Sequence, residues 1–379
     1  MPEPHSAHYG VLPVPPPEDN FTFEDKNGRH RVALAQIAKV DVLASELGDP
    51  YLISRLLTRR EAVTSSSIEG THSTLDELLR VEEDDETAGD AARQVGDYAL
   101  TLDRFIPQAR AFGPELFTTG LICDLHAEAM RRDPDYRDRP GDLRSAVVWI
   151  GGNGQIAYST FNPPPPEDVP ASLEENARYM RCEGMQAFKQ TLIVRMALAH
   201  AHFEAIHPFR DGNGRVGRLL LPLMMAADHH TPLYLSAYIE ANKTAYIDAL
   251  KAAQQRLEWA ALIDYLSSAV IATVDELFDT RRALMSLAVS WKQRRRFRAN
   301  SAAERSLVLL RDYPVITAKR LANKLEISVP AATTAVEQLQ DAGILTERTG
   351  YRRNRIYVAA EVLSILNRPF GSSPFVNHV

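Results

Sequence analysis

Cysteine is almost missing from this chain: Cys123 and Cys182 are the only two in 379 residues. Two thiols without metal-ligand spacing exclude a disulfide framework and a cysteine zinc site, and they fit a reducing compartment. Long apolar runs are missing too, and none reaches the roughly 20 residues that span a bilayer. The stretch from Met1 to Pro17 is polar and rich in proline, and it lacks a charged-then-apolar leader. These absences lead us to expect a cytoplasmic protein with no membrane span. A strong charge of either sign is also missing, and the net charge of -6 argues against wholesale nucleic-acid binding. No internal repeat is evident. What is present, 45% hydrophobic residues over this length, is enough for a large core divided into two or three domains.

Chemistry is concentrated in the segment His207-Pro-Phe-Arg-Asp-Gly-Asn-Gly-Arg-Val-Gly-Arg218. Before it, Leu192, Val194, Met196, Leu198, Ala199, Phe203 and Ile206 keep a helical apolar rhythm. After it, Leu219 to Ala227 is apolar and rich in helix formers. The segment therefore reads as a turn between two buried helices. Pro208 stops the first, while Gly212 and Gly214 permit positive φ and close approach of backbone N–H groups to an anion. The second helix starts near Arg215, and its N-terminal amides and dipole favour phosphate. His207 titrates near neutrality when unperturbed and can take a proton from a hydroxyl nucleophile. Asp211 is a hard oxygen ligand suited to a magnesium ion that bridges phosphates. Arg215 and Arg218, three positions apart, put two guanidinium groups on one helix face, where they would neutralise the outer phosphates. The residue types together describe a nucleoside triphosphate site.

Every position of the Fic signature, His-x-Phe-x-Asp/Glu-Gly-Asn-Gly/Lys-Arg-x-x-Arg, is filled between His207 and Arg218, and the chain resembles that family. The resemblance implies transfer of AMP from Mg–ATP to a Ser, Thr or Tyr hydroxyl of a protein, itself included, with release of pyrophosphate. It implies His207 as base, Asp211 on Mg2+, and Asn213 with Gly212 and Gly214 as an anion hole. Arg210, Arg215 and Arg218 complete the implied ATP contacts, Arg218 on the distal phosphate. Relatives that act as kinases tend to carry lysine at the place of Gly214, so glycine here favours the adenylylating orientation.

Three further elements follow from the resemblance. The run Ser65-Ser-Ser-Ile-Glu69-Gly70 is similar to the family's inhibitory element, with Ser65 and Glu69 one helical turn apart on one face. Glu69 would pair with Arg218 and block the productive γ-phosphate pose, and near the site it would also serve to remove AMP from a modified protein. The stretch Ala146 to Ile150, followed by Gly151 to Gly154, reads as a small hairpin. In relatives a flap lies there, so Val148, Trp149, Ile150 and Gly151 are expected to align a target by strand addition. Tyr246 and Gln254 stand where the family walls the adenine pocket, although Ile247 replaces a usual second aromatic.

We expect a mainly α protein: an extended arm over 1–30, an N-terminal helical region with the inhibitory helix over 31–110, a Fic catalytic domain over 111–290, and a C-terminal module over 299–367. In that module Thr317 and Ser328 cap two helices, Gly343 stops the second, and Thr346 to Val358 alternates as a hairpin. Three helices plus a wing resemble a winged helix-turn-helix. Its presumed recognition helix, Val329 to Ala342, has no lysine or arginine. Arg348, Arg352, Arg353 and Arg355 form the only basic patch, so DNA binding is weakly supported against protein docking or a homodimer. Two rival readings are a nucleotide-sensing DNA-binding regulator and a metal phosphohydrolase using His200, His202, His207 and Asp211. The second fails on geometry, because His200 and His202 point about 200° apart on a helix.

Overall fold

The computed structural model describes residues 1–18, 21–46, 55–85, 87–185, 190–350 and 354–374. The N-terminal region holds α1 (Arg29–Glu46), α2 (Arg55–Ile68), α3 (Leu75–Val81) and α4 (Asp90–Phe112), followed by α5 (Thr119–Ala129) and α6 (Val169–Met180). The centre is α7 (Leu192–Ile206) and α8 (Asn213–Ala227), and α9 (Ser236–Ala241), α10 (Lys243–Arg256) and the long α11 (Trp259–Arg294) follow. The C-terminal part contains α12 (Ala302–Leu309), α13 (Ala318–Leu325), α14 (Val329–Asp341) and α15 (Ala360–Leu366). It also holds the short strands β1 (Val315–Thr317), β2 (Thr346–Glu347) and β3 (Ile356–Val358). They form one antiparallel sheet in the order β1-β3-β2, with Val358 opposite both Val315 and Thr346.

Local chemistry sets the ends of these helices. Thr74 starts α3 through a reciprocal capping box: Glu77 N–H donates to Thr74 Oγ1 at 3.2 Å, and Thr74 N–H donates to the Glu77 carboxylate at 2.9 Å. Thr317 and Ser328 cap α13 and α14 one-sidedly, each side chain accepting a backbone N–H, and Gly343 follows α14 at φ 66°. α7 is apolar on every face, and a helix of that kind stays in water only if it is wrapped on all sides. All its residues are buried, with α6, α8, α10 and α11 around it. That wrapping places its C-terminal end, and the turn into α8, beside α2.

Two differences from the sequence reading have physical causes. The flap hairpin shrinks to one bridge, Ile150 opposite Phe161. Gly151, Gly152 and Asn153 take φ of 79°, 77° and 47° in succession, so the chain coils into short 3-10 turns before strands can lengthen. At the other end, α11 passes the expected boundary near 290 and continues to Arg294. Trp291 is fully buried among C-terminal residues, its indole N–H donating to Glu361 at 2.8 Å. Arg352 and Arg353 lie outside the described residues.

The C-terminal part shares its apolar cluster with the N-terminal region. Leu56 of α2 and Leu75 and Leu79 of α3 pack with Leu307, Leu321, Val336 and Leu339. Polar contacts frame the junction: Thr317 N–H and Oγ1 both donate to Glu83 at 2.9 Å, and the Arg55 guanidinium lies over the Tyr313 ring. Unfolding of one part therefore exposes the core of the other. Leu56→Ala should cost about 2–5 kcal/mol, the range for a leucine truncated in a core. Urea unfolding of the full chain should remain one transition at a lower midpoint. Two transitions, with only one of them shifted, would contradict the shared core.

Candidate functional site

The turn between α7 and α8 is strained at its first residue. His207 ends α7 in the left-handed region, φ 49° and ψ 62°, which costs a residue with a Cβ about 1–2 kcal/mol. Arg144 holds it there. This buried guanidinium donates to His207 O at 2.7 Å, Ile206 O at 3.3 Å, Pro164 O at 2.6 Å and Ala146 O at 3.2 Å. The Arg144 backbone N–H also donates to Pro208 O at 3.0 Å. All of these acceptors are carbonyls, so a cation sits at the negative end of α7 and ties it to the base of the flap.

The His207 ring has a defined tautomer. Nδ1 lies 3.4 Å from Glu204 O, a group that only accepts, so Nδ1 carries the proton and Nε2 keeps its lone pair. Burial pushes the imidazole down to about 4, so it is neutral at pH 7 and able to accept a proton. The loop beyond it is clamped from two sides. Asn213 Oδ1 accepts from Phe209 N–H at 2.9 Å and its Nδ2 donates to Phe209 O at 2.8 Å, so this amide shapes the turn. On the other side the His126 ring stacks on Phe209 with centroids 3.8 Å apart. Its Nδ1 accepts from Gly141 N–H at 2.9 Å and its Nε2–H donates to Asp211 O at 3.0 Å.

Asp211 is exposed at the mouth of the turn, and Gly212 N–H donates to its Oδ1 at 2.6 Å. Among the described residues no group of three His, Cys, Asp or Glu converges. A single exposed carboxylate would suit an ion whose shell is completed by phosphate oxygens and water, as that of magnesium commonly is. His200 and His202 diverge. His200 donates to Gly217 O and accepts from Tyr246 OH at 2.6 Å, whereas His202 accepts from Asn176 at 3.1 Å.

The two arginines of the signature also separate. Arg215 is buried against Asp133, at 3.1 Å. Arg218 turns to α2: its Nε donates to Ser65 Oγ at 2.8 Å, and one terminal nitrogen bonds Ser65 O at 2.9 Å and Glu69 Oε1 at 2.7 Å. Burial works against the charge on Glu69, and the Arg218 guanidinium outweighs it, holding the carboxyl below the usual glutamate range. The Arg218 side chain is 2% exposed and the Glu69 side chain 32%, so the carboxylate can leave into water but the guanidinium cannot. Gly214 makes the contact sterically allowed, since a Cβ there would overlap Glu69 Oε1. Gly70 follows at φ 89° and ends the element.

Arg210 is exposed and pairs with Asp138 at 3.1 Å. Tyr246 is a core residue, 6% exposed, behind Arg218. Gln254 reaches Ala201 O at 3.4 Å and faces a cavity of about 320 Å³ bordered by flap residues 159–162. Val148, Trp149 and Ile150 are half-buried on the flap, and Gly151 is exposed. Sequence reading missed Arg144, His126 and Glu204. Glu204 is a buried carboxyl beside Arg218 and Tyr246, and burial pushes it up to about 7. Only Arg144 had a local signal, as the residue that closes the turn from Gly141.

Histidine NMR checks this geometry without any substrate. The His207 imidazole should stay neutral from pH 8 down to about pH 5, because burial disfavours its charged form. A midpoint near the unperturbed value of about 6.5 would mean a solvated ring and a different turn.

Comparisons with known proteins agree on this region. The Fic/DOC family model matches residues 116–225 and the Fic/DOC family N-terminal model matches residues 29–104. A probable protein adenylyltransferase of Aquifex aeolicus is 29% identical over 247 residues, covering 62% of this chain and 67% of that protein. A protein adenylyltransferase of Caenorhabditis briggsae is 35% identical over 122 residues, but the match spans only 22% of its length. Among solved structures, a Fic family protein from Desulfovibrio desulfuricans has a TM-score of 0.55 at 20% identity, covering 90% of this chain and 98% of the other. A Fic domain containing signaling protein from Bacteroides thetaiotaomicron has a TM-score of 0.53 at 18% identity, covering 66% and 95%. With two adjoining family models spanning both the Ser65 to Gly70 run and the turn at His207, this region of the chain is of the Fic/DOC family.

Proposed function

We propose that the protein is an adenylyltransferase that moves AMP from ATP to a Ser, Thr or Tyr hydroxyl of a protein, and that Glu69 holds it inactive. The observation that carries the reading is His207, its Nδ1 on the Glu204 carbonyl in the turn that leads into α8, together with the bond from Arg218 to Glu69. The names of the relatives support it. In the reaction the target oxygen attacks the α-phosphorus, His207 Nε2 takes the hydroxyl proton, and the bond to the bridging oxygen breaks to release pyrophosphate. Backbone N–H groups of Gly214 and Arg215 receive the phosphates, and Arg218, once free, holds the γ-phosphate. Asp211 would hold Mg2+, whose role is to neutralise the phosphate oxygens. The same Glu69 carboxylate, beside the turn, would be suited to orient water for removal of AMP. We assign the C-terminal part to a winged-helix module for protein docking, because α14 offers no cation to a phosphate backbone. Two free thiols and no bilayer-spanning helix among the described residues are consistent with a cytoplasmic site of action.

Two variants test the roles separately. His207→Ala should cut incorporation of label from α-labelled ATP by about 10²-fold or more, the scale of a lost general base, while ATP affinity holds. Glu69→Gly should raise incorporation into the chain itself, because it frees Arg218 and adds no catalytic group. Transfer by His207→Ala at the parent rate would remove the base, and unchanged transfer by Glu69→Gly would reduce Ser65 to Gly70 to a helix end.

A further inference from the structure

The N-terminal arm does not extend away from the molecule. Val11 N–H donates to Asn162 O at 2.9 Å, and Asn162 Nδ2 donates to Tyr9 O at 3.1 Å. Ser159 Oγ donates to Asn162 Oδ1 at 2.8 Å, which fixes the direction of that amide. Phe161 O is taken by Ile150 N–H within the flap, so Asn162 O, the next carbonyl along an extended strand, faces the outer edge. Tyr9 and Val11, two residues apart, present their backbone groups to that edge in the manner of an added strand. Further back, the His5 ring lies 5.5 Å from the Trp149 ring, so the arm crosses both halves of the flap.

Backbone contact, rather than side-chain burial, holds the arm in place. Tyr9 is 89% exposed and Leu12 61%. At Gly10 the arm comes so close that a Cβ would lie 2.8 Å from Pro163 O and 2.8 Å from Met1 Cε. Beside it is the cavity bordered by Tyr9, Val11, Thr160, Asn162 and Gln254, which lies between the arm, the flap edge and the end of α10.

We propose that residues 1–12 are the resident occupant of the flap edge on which a protein target docks, so that a target adds its extended backbone by displacing them. The statement rests on the reading of the flap as the docking element. It also defines the partner: an extended segment with a glycine or similarly small residue over Pro163, bonded through its backbone to Asn162. A bulky residue at that position cannot approach.

The probe is a labelled synthetic peptide of residues 1–14, and the protein is the full chain with Gly10→Val, which forces the arm off without truncation. Fluorescence anisotropy should give about 10-fold or tighter binding to Gly10→Val than to the parent, whose tethered arm competes at roughly millimolar effective concentration. Asn162→Ala added to Gly10→Val should abolish that gain. In a Gly10→Val, Glu69→Gly chain the peptide should slow self-modification competitively and leave KM for ATP unchanged. Equal or absent binding to both chains would overturn the proposal, as would a peptide that binds yet leaves transfer untouched. Peptide binding with no AMP transfer in any variant would instead keep the arm on its edge and sink the adenylyl-transfer reading.

Discussion

The Glu69–Arg218 pair is the contact on which the site depends, and its asymmetry matters more than its length. Arg218 is enclosed by α2, α8 and α10, so its charge must always have an anionic partner or pay heavily in desolvation. Glu69 stands at the rim, one residue beyond the last turn of α2, and has water as an alternative. A phosphate group entering the turn would compete for the same guanidinium. Under the proposed function the pair would be a two-state element in which the carboxylate of the chain and the anion of a ligand exclude each other.

The position of Glu69 follows from the placement of α2, which is tied down along its length. Ser67 bonds Glu240 at 2.7 Å, Lys243 bonds Ile68 O at 2.8 Å, and Leu56 lies in the apolar cluster of the C-terminal part. Glu61, buried further along α2, accepts from Ser236 N–H at 3.2 Å and so ties α2 to the start of α9. Helix α2 is held at both ends by elements outside the turn at His207.

The turn itself was legible in the sequence because its constraints are local. Pro208, the glycines and the flanking apolar runs dictate a break between buried helices, and Ser65 with Glu69 shows its shared face by spacing alone. The flap was harder to read, since β-branched residues from Val147 to Ile150 signal strands while the positive-φ run after them limits pairing to one bridge. What stayed hidden was held by long-range contacts. Arg144 acts on carbonyls 62 residues or more away on α7, and His126 reaches Asp211 from a separate helix. Asn213 was readable as part of the turn, but its amide faces Phe209, a choice set by the loop closure and invisible in residue type. The shared core at Leu56, Leu75 and Leu79 was likewise hidden, because apolar positions on a helix do not say which partner covers them.

The competition between Glu69 and the γ-phosphate can be measured without any transfer, by calorimetric titration of ATP and ADP into the parent chain and into Glu69→Gly with magnesium present. A charged hydrogen bond to Arg218 that only ATP can make is worth about 1.5–3 kcal/mol, or roughly tenfold and upward in affinity. The account predicts similar affinities for the two nucleotides in the parent chain and a preference of about tenfold or more for ATP in the variant. A parent chain that already prefers ATP by that factor, or a variant that binds the two alike, would contradict it.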